Sequence, residues 1–300
     1  MNLLQRFATA LILGPGIIYV MWAYNPFGFF IIAFLALMVG LSEFSNIVLP
    51  KEGHTVHRVA LYVLGGGVSL IEFMRLYLER TNQHAWLPGS GVLLGLAVVL
   101  LSVIFLLVPV ELTAAPQRLS LSAYGLVYCG LLFTYVAAVG LLRAGPAWTT
   151  MLLTISWFND TGGYFAGRFL GGKIFSKKLY AEVSPKKTWE GFCGGLVGSF
   201  VGTLAAKLWY FPLGYAYAGF GETTGPNLTI FDCLLLAIFG GSIGVAGDLA
   251  ESMFKRAFDV KDSGSILPGH GGILDRVDAL LFAAPFVYLY GYYFFDARFL

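Results

Sequence analysis

Apolar residues in this 300-residue chain run in long unbroken stretches and do not alternate with polar ones. Nine such stretches stand out, near residues 7–23, 26–49, 56–78, 86–109, 120–142, 146–167, 189–211, 229–250 and 279–296. Each approaches the roughly 20 residues that a helix needs to cross about 30 Å of hydrocarbon. Strands of a membrane barrel would show a period of two, which these stretches lack. The pattern predicts an all-α, polytopic integral membrane protein of about nine transmembrane helices.

Composition points the same way, with 57% hydrophobic, 16% aromatic and only 12% charged residues, against about 25% charged in soluble domains. The distribution of lysine and arginine then orients the spans, because cytoplasmic loops retain positive charge. With the N-terminus cytoplasmic, the inner loops hold Arg6, Lys51, Arg58, Arg118, Arg168, Lys173, Lys177, Lys178, Lys186, Lys187, Lys255, Arg256, Lys261 and Arg276, which is 14 of 19 basic residues. Loops 168–188 and 251–278 are the richest, and two intervening spans put them on one side. The net charge of +2 adds little, and no nucleic-acid partner is expected.

Three cysteines, Cys129, Cys193 and Cys233, fall inside apolar stretches without metal-ligand or redox spacing, and read as small hydrophobes. Arg6 before an apolar run imitates a secretory signal. Gly14, Pro15 and the lack of a small-residue cleavage site favour an uncleaved first span.

Polarity changes character near Pro146. Residues 1–145 read as a transmembrane scaffold whose ionisable groups lie mostly at helix ends, with Glu43 and Glu72 as exceptions; Glu43, between Ser42 and Ser45, is the better functional candidate. Residues 146–300 bring polar groups into the spans and read as the catalytic half. The sixth span contains Asn159, Asp160 and Thr161, which imply water, a cation or a partner in a cavity. Gly167, Gly172 and Lys173 imitate a phosphate-binding loop, but Ile174 stands where a magnesium-reaching hydroxyl is needed. Ser184-Pro-Lys-Lys-Thr-Trp-Glu-Gly191 ends in a helix start that Ser184 or Thr188 could cap. Lys186 and Lys187 there serve either a phosphate, helped by free backbone amides, or only anionic headgroups.

On the eighth span Gly240, Gly244, Asp248 and Ser252 recur every four residues, with Lys255 three later, so they share one helix face. Asp275 and Asp278 share a face if the last span begins there. Between them lies a charged, glycine-rich segment with Arg256, Lys261, Asp262, His270, Gly271 and Gly272. Carboxylates able to hold a divalent cation, cations able to hold phosphate oxygens and glycines that admit both are the parts of phosphoryl or nucleotidyl chemistry. A hairpin that merely binds lipid headgroups is the plainer alternative.

The run Ser252, Lys255, Arg256, Lys261, Asp262, His270, Gly271, Gly272, Asp275, Arg276 and Asp278 resembles the terminal signature of the phosphatidate cytidylyltransferase family, the bacterial-type CDP-diacylglycerol synthases. Asn159-Asp160-Thr161, the Ser184–Gly191 segment and Gly247-Asp248 extend the likeness over about half the chain, and Glu43-Phe44 resembles an acidic-aromatic pair of that family. The resemblance implies transfer of the cytidylyl group of CTP to phosphatidate, a magnesium requirement with a paired site that can take potassium, and a homodimer in the bacterial cytoplasmic membrane. It implies that Asp248 and Asp275 ligate metal, supported by Asp278. It also implies that Ser184, Lys187, Ser252, Lys255 and Arg276 contact phosphate, and that Asn159 and Asp160 line the polar cavity. Arg168, Lys186, Arg256, Lys261 and His270 complete the candidate substrate contacts. A CTP-dependent lipid kinase and an ion-coupled transporter are the rival readings.

Overall fold

The computed structural model describes residues 26–50, 52–83, 86–108, 110–210, 226–266 and 271–296. Helices dominate: α1 (Pro26–Val48), α2 (Thr55–Arg80), α3 (Ser90–Leu107), α4 (Ala115–Leu141), α5 (Gly145–Leu170), α6 (Trp189–Ala205), α7 (Ile230–Ala257) and α8 (Leu274–Gly291). Among the described residues seven helices are long and apolar enough to cross a membrane, so the chain is an all-α multi-pass membrane protein. The count of nine is not reached. The first expected span, 7–23, lies outside the described residues, and α5 is long enough at 26 residues but too polar to qualify by composition alone.

Two expected boundaries move. The eighth span continues to Ala257 and the last begins at Leu274, so part of the charged segment between them is helix. Both extensions carry polar groups, which hydropathy discounts although a helix accommodates them. A short antiparallel hairpin, β1 (Lys178–Tyr180) and β2 (Ser184–Thr188), also lies within the basic loop 168–188.

The chain divides into two compact units. The described part of the first comprises α1–α4 and residues 257–266 and 271–276. Small residues allow its helices to meet: Gly130 approaches the backbone of Gly65, and a Cβ at Gly125 would lie 2.7 Å from the Phe44 ring. Phe30 stacks on Phe73 with ring centroids 4.0 Å apart, and Thr134 donates to Ser69 across the α4–α2 contact at 2.8 Å. Glu72 is fully buried, and Arg75 one turn later donates to both its oxygens at 2.7 and 3.0 Å. Its role is that of a buried ion pair, in which hydrogen bonds offset desolvation.

The described part of the second unit holds α5, the hairpin, α6, α7 and α8 from Val277 onward. Thr188 caps α6 by accepting from Gly191 N at 3.0 Å, which settles the choice between the two hydroxyls. Helices α5 and α6 meet along a glycine seam. A Cβ at Gly162 would strike the carbonyl oxygen of Gly194, and one at Gly198 that of Phe158. No other residue permits backbones to approach so closely.

Candidate active site

The second unit contains a partly open cavity of about 240 Å³. Ser156, Asn159 and Asp160 face it from α5, Lys186, Lys187 and Thr188 from the hairpin, Gly241, Gly244 and Asp248 from α7, and Ala279 and Ala283 from α8. Asn159, Asp160 and Asp248, which sequence reasoning singled out on two spans, therefore meet at one cavity, whereas Thr161 does not line it. Asn159 is buried; its Nδ2 donates to Ser199 Oγ at 3.1 Å, and Ser199 in turn donates to the Ile155 carbonyl at 2.9 Å. This relay fixes the amide beside the glycine seam.

The four-residue spacing on α7 explains only part of its packing. A π-turn at Leu236–Gly240 shifts the register, so the tightest contacts fall at Gly241 and Gly247. A Cβ at Gly241 would lie 2.7 Å from Asn159 Nδ2, and one at Gly247 would lie 2.5 Å from the Asp278 carbonyl oxygen. At Gly244 the nearest atom, the Ala279 oxygen, is an ordinary 3.5 Å away.

At the cavity Lys187 Nζ lies 2.5 Å from Asp248 Oδ2, joining the hairpin to α7. Ser252, one turn on, reaches Asp248 Oδ1 at a long 3.4 Å. Lys255 is buried and donates to Glu251 at 2.7 Å, an i,i+4 pair that spacing alone could have disclosed. Asp278 accepts from Ala279 N at 2.8 Å and lies within electrostatic reach of Asp248, Glu251 and Asp160. Acidic groups are thus concentrated beside two lysines in a membrane protein, where ionisable groups are costly unless used or paired.

Glu190 was not singled out by sequence. It is buried at the start of α6, and its Oε1 accepts from Gly172, Ile174 and Phe175 N–H at 3.0, 3.0 and 2.9 Å. It shapes the turn that imitates a phosphate loop, with Gly172 at φ +79°. Nearby Arg168 is exposed and donates to Tyr164 OH at 2.6 Å. Ser184 and Lys186 lie on β2, with Lys186 exposed.

The remaining candidates stand elsewhere. Arg256 is exposed near the end of α7. Lys261, Asp275 and Arg276 belong to the first unit, where Lys261 and Arg276 are exposed. His270 lies outside the described residues. Asp275 Oδ2 accepts from Ser263 N, Ser263 Oγ and Gly272 N at 2.9, 3.0 and 2.9 Å. The same Ser263 hydroxyl, with one proton to share, also lies 3.1 Å from Glu43 Oε2, and the two Glu43 oxygens accept from Ile273 N and Leu274 N. No sequence spacing joins Glu43 to residues 220 and more positions away.

The oxygen chemistry fits a hard divalent cation, and the Lys187 ammonium already stands as a cation against Asp248. Among the described residues no cluster of three or more His, Cys, Asp and Glu side chains is gathered as a ready-made metal cage. Magnesium typically uses one or two carboxylates together with water and substrate phosphates, so its protein ligands need not form such a cage.

A multi-pass membrane fold with a half-buried acid–lysine pair at a cavity is suited to charged groups. Residues 4–294 match the model of the cytidylyltransferase family. A phosphatidate cytidylyltransferase of Brucella suis is 35% identical over 298 residues, 97% of this chain and 93% of its own length. That of Bacillus subtilis is 35% identical over 212 residues, 69% of this chain and 71% of its own length. That of Haemophilus influenzae is 42% identical over 141 residues, 46% of this chain and 43% of its own length. The chain belongs to the cytidylyltransferase family, and it is a nucleotidyltransferase.

Proposed function

We propose that this enzyme transfers the cytidylyl group of CTP to phosphatidate, giving CDP-diacylglycerol and pyrophosphate in phospholipid biosynthesis. The observation that carries the reading is the Lys187–Asp248 pair at a cavity that Asn159, Asp160 and Lys186 also line. It brings one phosphate-binding and one metal-binding type of group to the same place. At about 240 Å³ the cavity is smaller than the roughly 300–1,000 Å³ of pockets that enclose a whole ligand. It suits phosphate groups, with nucleoside and acyl chains extending beyond.

In this reading a phosphatidate oxygen forms a bond to the α-phosphorus of CTP while the bond to the bridging oxygen of pyrophosphate breaks. A phosphate monoester is nucleophilic near neutral pH, so orientation and charge stabilisation matter more than a strong base. Lys187 and Lys186 hold phosphate oxygens, Asn159 and Asp160 add polar atoms to the lining, and Ala279 and Ala283 of α8 add apolar ones. Ser184, Ser252, Lys255, Arg168, Arg256, Lys261, His270 and Arg276 are the further substrate contacts proposed. Asp248 and Asp275 are the proposed magnesium ligands, with Asp278 in support; potassium is proposed for a second site. The bound cation would neutralise polyphosphate charge and polarise the attacked phosphorus.

The basic loops support a site on the cytoplasmic face of a bacterial inner membrane, where CTP would arrive from water and phosphatidate from the bilayer. A homodimer is the proposed assembly. The test is purified protein in mixed micelles with phosphatidate, magnesium and α-labelled CTP. Labelled CDP-diacylglycerol with equimolar pyrophosphate, lost on chelation, is expected. Release of CDP with phosphorylation of an added lipid alcohol would instead identify a kinase and overturn the proposal.

A further inference from the structure

Glu43 lies near the C-terminal end of α1 and is only 6% exposed. A buried carboxylate is unfavourable unless hydrogen-bonded. Its partners are specific: Oε1 accepts from Ile273 N at 2.9 Å, and Oε2 accepts from Leu274 N at 3.0 Å and Ser263 Oγ at 3.1 Å. Ile273 and Leu274 open α8, where backbone N–H groups have no helical acceptor and the helix dipole favours negative charge. Glu43 therefore caps, from a distant helix, the turn that presents Asp275.

The neighbouring glycines leave little freedom. A Cβ at Gly264 would lie 2.5 Å from Glu43 Oε1, and one at Gly272 would collide with Ser263 Oγ and lie 2.5 Å from Glu43 Oε2. Ser263, 6% exposed, joins both acids, because its hydroxyl lies 3.1 Å from Glu43 and 3.0 Å from Asp275 Oδ2. The Ser263 and Gly272 amides donate to the same Asp275 oxygen. A helix start needs one cap to be stable. Here a second acid and a shared hydroxyl fix the side chain of the residue that follows it.

We propose that Glu43 and Ser263 are positioning residues that set the orientation of Asp275 for the cytidylyl-transfer reaction. This rests on the reading of Asp275 as a magnesium ligand. Outer contacts of that kind typically change metal affinity or activity about 10- to 100-fold when removed.

The experiment compares Glu43→Gln, Ser263→Ala and Asp275→Asn in the full-length detergent-solubilised enzyme. The magnesium concentration that half-saturates the thermal shift is measured without substrate, beside kcat and KM for CTP. Glu43→Gln and Ser263→Ala are expected to raise the magnesium midpoint and lower kcat about 10- to 100-fold. The amides of Ile273 and Leu274 are expected to exchange faster in Glu43→Gln. A merely structural role would lower the melting temperature while leaving the magnesium midpoint and the kcat of the folded fraction within twofold of wild type, and that result would overturn the inference. Should Glu43→Gln not fold, Ser263→Ala decides by the same criterion. If Asp275→Asn keeps a wild-type magnesium midpoint and turnover, the ligand assignment fails. If Asp275→Asn loses both while the other two keep them, only the positioning inference fails.

Discussion

Substituting Gly198 by alanine tests whether the glycine seam between α5 and α6 positions the site. The added methyl would meet the Phe158 carbonyl oxygen head-on, with the Phe158 carbonyl carbon at 3.1 Å and Gly162 Cα at 3.2 Å behind it. A backbone carbonyl inside a helix cannot rotate away as a side chain can. The helices must separate by about 1 Å to restore a C···O contact near 3.3 Å. That displacement would stretch the 3.1 Å Asn159–Ser199 hydrogen bond out of range. Overpacking costs about 1–3 kcal/mol and the lost bond about 1 kcal/mol, offset by about 1 kcal/mol of helix propensity gained on leaving glycine. A net destabilisation of about 1–3 kcal/mol is expected, with reduced turnover because Asn159 lines the cavity. The assay is thermal unfolding in detergent together with turnover. Gly67→Ala and Gly95→Ala serve as controls, because a Cβ at either position meets nothing within 4 Å. If Gly198→Ala matched those controls in both stability and rate, the close approach would not be the constraint argued here.

Asp248→Asn is expected to abolish turnover while the protein remains folded and inserted; near-normal activity would remove Asp248 from the metal site. Chelation of magnesium should stop CDP-diacylglycerol formation reversibly, with recovery on adding the cation back. Glu190→Gln should speed hydrogen exchange at the amides of Gly172, Ile174 and Phe175 while leaving α5 amides unchanged, as mass spectrometry can read. Glu72→Gln leaves Arg75 without its buried counter-charge and should destabilise the protein by about 2 kcal/mol or more, seen as a lowered melting temperature at unchanged KM.

The helical, membrane-spanning character was legible because hydrocarbon admits little besides helices and closed barrels, and residues such as those of 90–107 satisfy that demand by composition alone. The polar residues of α5 were legible as a cavity for the complementary reason, since Asn159 and Asp160 have no other inexpensive place. The helix ends were less so, because Lys255 and Asp275 lower local hydropathy without interrupting the backbone pattern. Pairings between distant elements left no periodic trace. The contacts of Glu43 with Ser263, Ile273 and Leu274, the Lys187–Asp248 pair and the Glu190 clamp each depend on how distant segments meet. The Glu251–Lys255 pair is legible from i,i+4 spacing alone, since both residues fall on one face of α7.

The polarity of α5 also bears on how the protein is made. A helix that carries Asn159, Asp160 and Thr161 and fails the composition expected of an independent span gains little from partitioning alone into lipid. Its polar amide is satisfied by Ser199 on α6, and its small residues are covered by those of the same partner. Entry into lipid together with α6 would satisfy that amide and cover the facing glycines at once, so the seam that brings the backbones together would also ease the passage of a polar helix out of water.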